Sequence, residues 1–338
     1  MSENRAQTSV LVTGGAGYIG SHTVLALLKA GYRPVVLDDL STGRRALVPA
    51  GTPLVTGDVG DSDLVGDLLR QHNCRAVLHF AGSIIVPESV QRPLDYYRNN
   101  TANSFALLQA CQTAGIAAFI FSSTAAVYGE TRAERLSEDM SPDPANPYAR
   151  SKWMTEWALA DAARAAPLPH VVLRYFNVAG ADSGGRSGQV SPVATHLIKR
   201  ACQAVLGRLP HIDIFGSDYD TPDGTGVRDY IHVSDLADAH VAALTYLLDG
   251  GDSATFNCGY GRGYSVKEVL DVVDKAAGNP VPRRNGPRRP GDVGRLVADV
   301  SRIRRTLDWT PRHDDLDSIV ETALAWERRL QQDPTLAD

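Results

Sequence analysis

Short apolar segments of strand length alternate with longer segments of helical period through the first half of the chain. A parallel sheet that is covered by helices on both faces produces this alternation. The pattern therefore predicts an α/β fold built on a doubly wound parallel sheet. The predicted strands are 10–13, 35–37, 54–56, 76–81, 119–123 and 171–175.

The second half of the chain has a different texture. A glycine- and serine-rich segment at 180–188 interrupts the alternation, so we expect one domain over 1–176 and a smaller mixed α/β domain over most of 177–338. Apolar residues recur at helical spacing over 229–248, and we predict a helix there. Segments near 229–258 are expected to return to the first domain, which interleaves the two.

The first predicted strand leads directly into a turn with regularly spaced glycines, Gly14, Gly17 and Gly20. Glycine lets backbone N–H groups close on a pyrophosphate at a helix N-terminus, where unpaired N–H groups and the helix dipole favour negative charge. A strand precedes the turn and a helix-like segment, 22–30, follows it, which is the context that such a turn requires. The turn therefore predicts a Rossmann-type dinucleotide site.

The second predicted strand ends at two acidic residues, Asp38 and Asp39. A carboxylate at this place accepts hydrogen bonds from the adenosine ribose hydroxyls and repels a 2′-phosphate. We therefore favour NAD over NADP, with Asp38 as the contact. Arg44 and Arg45 follow in the next loop and keep NADP open as an alternative.

A tyrosine and a lysine, Tyr148 and Lys152, are spaced by one helical turn and follow Pro147. Proline suits the first turn of a helix, and residues at i and i+4 share a helix face. A nearby ammonium stabilises a phenolate, so it lowers the tyrosine pKa from about 10 towards the working pH. With Thr124 at the end of a preceding strand, the pair predicts an acid–base site beside the dinucleotide.

Composition and charge exclude several function classes. The 338 residues carry a net charge of −5 without a long basic run, which argues against a nucleic-acid partner. No apolar segment is long enough for a membrane span, and the polar residues 2–5 lack a signal-peptide pattern, so we expect a cytoplasmic protein. The histidines show no metal-ligand spacing and the four cysteines no paired spacing, so we predict no metal and buried free thiols.

Taken together, these motifs resemble those of a known family. The chain resembles the extended short-chain dehydrogenases/reductases and, within them, the UDP-glucose (UDP-galactose) 4-epimerases. The matching segments span nearly the whole chain, and their combination is far more specific than any one of them. They are GGAGYIGSH at 14–22, HFAG at 79–82, ESV at 88–90 with YY at 96–97 and NN at 99–100, SSTAAVYG at 122–129, NPYARSK at 146–152, RYFNVAG at 174–180, GTGVRDYIHVSD at 224–235 and RPGD at 289–292.

The resemblance implies a role for each matching residue. Thr124 and Tyr148 would face the 4-hydroxyl of the sugar as catalytic residues, and Lys152 would contact the nicotinamide ribose. Arginines in the UDP set would bind the diphosphate through paired donors. The implied NAD contacts are Gly14, Ala16, Gly17, Tyr18, Ile19, Gly20, Asp38, Asp58, Val59, Phe80, Ala81, Gly82, Asn99 and Phe176. The implied UDP-sugar contacts are Asn177, Phe215, Arg228, Arg289, Asp292 and Leu296.

Three positions depart from the family pattern. Ile84 stands where a lysine that contacts a cofactor phosphate is common. His196 aligns with a nucleotide-contacting asparagine. Leu296 stands where a tyrosine often limits the sugar pocket, and a smaller residue there admits an N-acetyl group.

The reaction that the resemblance implies is a redox-neutral epimerisation of a UDP-hexose. Tyr148 takes the proton of the 4-hydroxyl while the C4 hydride passes to tightly bound NAD⁺. The 4-keto sugar then turns over while its diphosphate stays anchored, and the hydride returns to the opposite face. UDP-N-acetylhexosamines and UDP-pentoses are alternative substrates.

Other functions compete with this interpretation. A nucleotide-sugar 4,6-dehydratase shares the hydride chemistry, but related dehydratases carry Asp-Glu where this chain has Ala125 and Ala126. Without those carboxyls the elimination of water lacks its acid and base. A net dehydrogenase would accumulate NADH, and a non-catalytic NAD-dependent sensor would have no need of Thr124, Tyr148 and Lys152.

Two predicted helices, 94–111 and 152–165, resemble those by which relatives form a two-fold dimer. Aromatic and apolar residues on these helices are the candidate contacts, and we expect a homodimer on this basis. The candidates are Phe105, Leu108, Trp153 and Trp157.

Overall fold

The strands of the fold include every segment that the apolar pattern predicts. The computed structural model describes residues 5–131, 133–191, 195–289 and 293–337. The strands are β1 (Ser9–Thr13), β2 (Arg33–Asp38), β3 (Leu54–Thr56), β4 (Cys74–His79), β5 (Ala118–Thr124), β6 (His170–Tyr175), β7 (Asn177–Ala179), β8 (Ile212–Phe215), β9 (Val227–His232), β10 (Ala254–Cys258), β11 (Gly263–Ser265), β12 (Arg283–Gly286) and β13 (Arg295–Leu296).

A seven-stranded sheet of order β10-β6-β5-β4-β1-β2-β3 forms the centre of the molecule, and its strands are all parallel. Alternate residues of a strand face opposite sides of a sheet. Val10 and Val12 accordingly join one hydrophobic core and Leu11 joins the other. Burial on both faces explains the continuous apolar strands, and the predicted doubly wound α/β sheet is confirmed.

Helices cover both faces of this sheet and build much of the second half. They are α1 (Tyr18–Lys29), α2 (Ser62–Gln71), α3 (Val86–Gln91), α4 (Pro93–Tyr96), α5 (Asn103–Ala114), α6 (Pro147–Ala165), α7 (Leu197–Val205), α8 (Val233–Leu248), α9 (Val266–Ala277), α10 (Ser301–Thr306) and α11 (Leu316–Gln332). Among the residues that the structure describes, no helix is long and apolar enough to cross a membrane. Shorter turns are the 3₁₀ turns Arg45–Leu47, Ala125–Tyr128 and Pro334–Ala337 and the π-helical turn Tyr97–Ala102.

Two predicted helices differ from the structure. The segment 94–111 is divided, because a π-helical turn separates α4 from α5. Residues 229–232 belong to β9 instead of to the helix predicted over 229–248, since β9 pairs with β11 over 227–229 and with β7 over 230–232. The helix begins only after His232, whose Nδ1 accepts the N–H of Ser234 at 3.0 Å.

The second half of the chain is divided between a smaller lobe and the central sheet. In the lobe, β9 pairs with β7, β11 and β13, and β8 pairs with β12. Between these strands the chain leaves the lobe: α8 packs on α1, and β10 adds the edge strand beside β6. Strand β7 of the lobe is separated from the end of β6 by one residue, so the lobe starts at the carboxyl edge of the sheet, which is where parallel sheets bind ligands.

Candidate active site

The glycine turn after β1 leaves no space for side chains at two of its positions. Gly14 has a left-handed backbone, with φ of 69°, and a Cβ built on it would lie 2.6 Å from the nitrogen of Ala81. A Cβ on Gly20 would lie 2.2 Å from the carbonyl oxygen of Gly14. The first turn of α1 carries no acidic residue, and its N-cap Gly17 makes no side-chain bond. Such a turn fits a dinucleotide pyrophosphate, which the helix N-terminus binds.

Asp38, at the end of β2, is tied to the glycine turn. Its two carboxylate oxygens accept the N–H groups of Ala16 and Leu40, both at 2.9 Å. Burial raises the pKa of this carboxyl. The Arg44 guanidinium donates to the carbonyl oxygens of Gly43 at 2.9 Å and Ala337 at 2.6 Å, so these bonds commit it to the backbone.

Most of the remaining predicted NAD contacts lie near the ends of strands or in the first turn of α1. Phe80 and Ala81 follow β4, and the Phe80 N–H donates to the carbonyl of Thr13 at 2.9 Å. Gly82 lies next to helix α6, since a Cβ there would be 3.5 Å from Nζ of Lys152. Asp58 and Val59 follow β3, and Phe176 lies between β6 and β7. Tyr18 and Ile19 open α1, and Asn99 lies in the π-helical turn. These residues are exposed Asp58, buried Val59 and Phe176, and half-buried Asn99, Tyr18 and Ile19.

Helix α6 carries the Tyr–Lys pair. Asn146 caps it by accepting the N–H of Ala149 at 2.9 Å, with Pro147 in the first turn. Lys152 is 3% exposed, and its Nζ donates to the carbonyl oxygen of Ser122 at 3.0 Å. Burial lowers the pKa of Lys152 to about 8, and the Glu156 carboxylate opposes this shift. The ammonium is therefore largely protonated at neutral pH.

Tyr148 lies one helical turn before Lys152, close to Thr124 at the end of β5. Burial raises the pKa of Tyr148, and the neighbouring Thr124 side chain lowers it. The net pKa is raised, whereas the sequence predicts a decrease, because burial outweighs the other contributions; the Lys152 ammonium bonds to the carbonyl oxygen of Ser122. Thr124, Tyr148 and Lys152 nevertheless meet at one strand end.

Asn100, in the π-helical turn, is a buried residue beside the site to which the sequence assigned no role of its own. Asn100 is 1% exposed. Its Oδ1 accepts the N–H of Ser83 at 2.7 Å, and its Nδ2 donates to Ser151 Oγ at 3.0 Å. Asn100 thus joins the loop after β4 to helix α6. The Asn-Asn pair at 99–100 was visible in the sequence, but its spacing does not reveal a π-helical turn.

The predicted UDP-sugar contacts come from several elements of the lobe. Arg228 in β9 lies directly opposite Leu296 of β13 on one side and Tyr264 of β11 on the other. Arg289 places its guanidinium 4.7 Å from the ring centre of Phe215. Both arginines therefore pack against apolar or aromatic neighbours, as long cationic side chains do.

Other predicted substrate contacts and departures also find their places in the structure. Asn177 begins β7 two residues after the end of β6, and Asp292 lies outside the described residues. Ile84 is 50% exposed in the loop that Asn100 supports. Nδ1 of His196 contacts Nε2 of Gln189 at 2.8 Å, and burial lowers the pKa of this histidine.

A dinucleotide cradle beside a Thr–Tyr–Lys set defines an NAD-dependent enzyme that oxidises and reduces an alcohol. Comparison with known proteins narrows the class. Residues 10–259 match the model of the NAD dependent epimerase/dehydratase family. A UDP-glucose 4-epimerase of Azospirillum brasilense is 60% identical over 330 residues, which cover 98% of this chain and 95% of that protein.

Solved structures agree with this match. A UDP-glucose 4-epimerase from Brucella ovis in complex with NAD has a TM-score of 0.92 and 43% identity, over 94% of this chain and 98% of that one. A UDP-Glc/GlcNAc 4-epimerase from Campylobacter jejuni has a TM-score of 0.84 and 45% identity, over 95% and 99% of the two chains. The chain belongs to the NAD-dependent epimerase/dehydratase family, and NAD is its cofactor.

Proposed function

We propose that this enzyme catalyses the reversible C4 epimerisation of a UDP-hexose and interconverts UDP-glucose and UDP-galactose. The observation that carries the proposal is the meeting of Thr124, Tyr148 and Lys152 at the end of β5, next to Gly82 and the glycine turn. The names of the Azospirillum and Brucella relatives support the substrate.

Each catalytic side chain has a distinct task in this proposal. Bound NAD supplies the group that accepts the C4 hydride and returns it. Tyr148 takes the proton of the 4-hydroxyl as a phenolate and gives it back to the 4-keto sugar. Thr124 donates to the phenolate and holds it at the strand end. Lys152 contributes a positive charge that favours the phenolate and donates to the nicotinamide ribose.

The NAD contacts proposed for this chain are the residues of the glycine turn and of the strand ends described above. Asp38 would accept from the adenosine ribose, and its carboxylate repels a 2′-phosphate. The backbone bonds of Arg44 support NAD over NADP, because they hold its guanidinium on the carbonyl oxygens of Gly43 and Ala337 through Nη1 and Nε.

Anchoring of the substrate through its nucleotide leaves the hexose free to turn over between the two hydride transfers. We assign this anchoring to the lobe, with Arg228 and Arg289 on the diphosphate and Asn177, Phe215 and Asp292 as further contacts. Paired guanidinium donors match the oxygens of a diphosphate, and they give an acidic protein the basic site that its substrate needs.

The rival functions have less support. Ala125 and Ala126 form a 3₁₀ turn directly after Thr124, so this strand end carries no carboxyl to expel water in a 4,6-dehydratase reaction. A sensor has no use for the catalytic set. N-acetylhexosamines are the second substrate candidate, because Leu296 borders Arg228 and the Campylobacter relative is named for both UDP-Glc and UDP-GlcNAc.

We also propose a homodimer. Exposed apolar side chains project from α3 to α6, which pack against one another. Leu108 is 3% exposed and belongs to the core, which removes it from the predicted contacts. Trp157, paired with Trp153 at 5.4 Å between ring centres, remains a central candidate. The most exposed members are Val90 (63%), Leu94 (73%), Phe105 (44%) and Trp157 (57%).

The oligomeric state is checked by light scattering on the Trp157→Glu variant. A charge at this surface should convert a dimer into a monomer, whereas Asp161→Asn, on the same helix, should leave the dimer intact. A wild-type monomer would contradict the homodimer.

We propose that residues 1–176 form the NAD-binding domain and that most of 177–338 forms the UDP-sugar-binding domain. The return of β10 to the central sheet supports the interleaving of the two parts. We propose the cytoplasm as the compartment, because Cys74, Cys111, Cys202 and Cys258 are buried free thiols, as is usual in a reducing environment.

The Tyr148→Phe variant tests the proposed function. It removes the proton-transferring oxygen and keeps the ring, so interconversion of UDP-glucose and UDP-galactose should fall at least roughly 1,000-fold while NAD stays bound. Chromatographic separation of the C4 epimers measures the rate, and near-normal turnover would contradict the assignment. Accumulation of NADH in the wild type would instead indicate a dehydrogenase.

Substrate choice needs a separate experiment. The wild-type enzyme is incubated with the UDP-hexoses, UDP-N-acetylhexosamines and UDP-pentoses in turn, and the epimers are separated. Fastest conversion of the UDP-hexoses is expected. Conversion of N-acetyl sugars or pentoses alone would contradict the hexose assignment.

A further inference from the structure

A row of polar side chains crosses the carboxyl end of the central sheet behind the catalytic residues. Ser123 of β5 is the register partner of Arg174 in β6, and Arg174 is the register partner of Asn257 in β10. Register partners in adjacent parallel strands face the same side of a sheet. Three polar residues therefore stand side by side on one face of the sheet.

Glu156 of α6, the helix that packs on this face of the sheet, bonds to two members of the row. Its Oε2 accepts a hydrogen bond from Nη2 of Arg174 at 2.7 Å. Both of its oxygens accept from Nε of Arg174, each at 3.2 Å. Ser123 Oγ donates a further hydrogen bond to Oε1. Glu156 is 6% exposed and Arg174 is 4% exposed, so the ion pair is almost completely withdrawn from water.

The other side of Arg174 is also enclosed. Nη1 donates to the hydroxyl of Tyr128 at 3.0 Å, and that hydroxyl donates to Oδ1 of Asn257 at 2.7 Å. The guanidinium carbon lies 5.0 Å from the ring centre of Tyr128 and 5.4 Å from that of Trp153. Arg174 is thus held on several sides and fixes Glu156 in turn.

The spacing on α6 connects this network to catalysis. Tyr148, Lys152 and Glu156 recur every four residues and share one helix face. Lys152 bonds to the carbonyl of Ser122, and Glu156 accepts from the side chain of Ser123. Two successive turns of the helix are therefore docked on two successive residues of β5, directly before Thr124.

Stability alone does not account for a buried ion pair at this place. Replacing such a pair by apolar residues of similar volume is often neutral or stabilising, because burial of the charges costs nearly as much as their attraction returns. A benefit to the reaction is a further explanation, and the neighbouring Lys152 offers one.

We propose that Glu156, fixed by Arg174 and Ser123, is a positioning residue that docks the Tyr148–Lys152 face of α6 on the end of β5 and keeps Lys152 protonated. The inference rests on the catalytic roles proposed above. It adds an acidic residue to the site, acting through Lys152 without touching the substrate.

The charges around Lys152 agree with this role. His79 at the end of β4 faces the lysine. Burial, and to a smaller extent the charge of Lys152, lowers the pKa of His79 to about 3, so the imidazole is neutral at working pH. From α6 itself, Tyr148 is uncharged when protonated, and Arg174 on β6 is paired with Glu156. Glu156 is the group that raises the pKa of Lys152 against its burial.

The experiment compares the wild-type holoenzyme with Glu156→Gln, which keeps the shape of the side chain and removes its charge. The protein is labelled with ¹³C at the lysine Cε, and the titration of Lys152 is followed by NMR, its signal being assigned by its absence in Lys152→Arg. Few signals compete, because the lysines of the chain are Lys29, Lys152, Lys199, Lys267 and Lys275.

In Glu156→Gln we expect Lys152 to titrate at a lower pH than in the wild type. The loss of activity at high pH should therefore begin at a lower pH than in the wild type, because Lys152 loses its proton at a lower pH. At pH 7 we expect kcat to fall at least tenfold and KM to change less than twofold, with NAD still bound. An unchanged Lys152 titration would overturn the proposal.

Two further variants separate charge from docking. Asp161→Asn removes an exposed carboxylate from the same helix and should change neither the titration nor kcat. Ser123→Ala removes one docking bond without removing charge, so kcat should fall while Lys152 titrates as in the wild type, and it serves if Glu156→Gln does not fold. Wild-type kcat in Ser123→Ala would overturn the docking role.

The lysine titration is measured without turnover. It therefore distinguishes a failure of this inference from a failure of the proposed epimerase function, which Tyr148→Phe tests.

Discussion

The carboxyl edge of the central sheet, where its parallel strands end, and the lobe around β9 are built in different ways. At the sheet edge, chemistry comes from residues that are close in sequence: the glycine turn occupies one short segment, and Tyr148 and Lys152 lie one helical turn apart. In the lobe, Arg228 is flanked by Tyr264 and Leu296 only because β9, β11 and β13 pair. Local motifs thus form the reacting site, and long-range pairing forms the proposed recognition site.

This contrast predicts that single changes at the sheet edge abolish function and that changes in the lobe redirect it. The largest effect is expected for Gly20→Ala. A Cβ there would lie 2.2 Å from a backbone oxygen, and relief of such overpacking costs about 1–3 kcal/mol while distorting the cradle. NAD affinity should fall roughly 100-fold, as measured by the NAD that copurifies with the protein.

Gly31→Ala is the matched control at the other end of the same helix. Gly31 has a φ of 87°, but nothing lies within 4 Å of a Cβ built there. The variant should lose about 1 kcal/mol of stability through backbone strain and keep its NAD. Equal NAD loss in both variants would contradict a specific cradle.

A smaller effect is expected for Asp38→Ala. The variant loses an acceptor for the ribose and two bonds that hold the backbone of Ala16 and Leu40. Hydrogen bonds to a charged group contribute about 1.5–3 kcal/mol, so NAD affinity by calorimetry should fall roughly 10- to 100-fold. Asp39→Ala, a change of the exposed neighbour, should leave it unaltered. The reverse order of effects would assign the contact to Asp39.

In the lobe, Leu296→Tyr should alter substrate preference and leave catalysis intact. A larger side chain opposite Arg228 reduces the space for an N-acetyl group, and differences of this size in a pocket change discrimination by about tenfold. The ratio of rates on UDP-N-acetylglucosamine and UDP-glucose measures the effect. Leu296→Met, which conserves volume, is the control, and an unchanged ratio in Leu296→Tyr would remove this residue from the sugar pocket.

The smallest effect is expected where the two halves of the chain meet near Asp38. Arg44 joins the loop after β2 to the turn Pro334–Ala337 through its bond to Ala337. Loss of such a bond costs about 0.5–1.5 kcal/mol, so NAD should dissociate a few-fold faster from Arg44→Ala. Arg45→Ala, which changes an exposed side chain, should retain the wild-type rate, and equal rates in all three proteins would show that the bond has no role in retention.

The same contrast explains what could be predicted from the sequence. Periodicity located the strands of the central sheet, and spacing located the glycine turn and the Tyr–Lys pair, because these depend on neighbouring residues. Periodicity failed at 229–232, where pairing with β11 and β7 forms a strand directly before the residues of the helical pattern. The network around Glu156 was also missed, since Ser123, Arg174 and Asn257 meet only when three strands align.

One labelling experiment tests the central claim, that the hydride removed from C4 returns to C4 of the same sugar. UDP-glucose deuterated at C4 is converted by the wild-type enzyme in ordinary water, and the UDP-galactose formed is analysed by mass spectrometry and NMR. The account predicts that the product retains its deuterium at C4. A product carrying hydrogen from water at that carbon would contradict it.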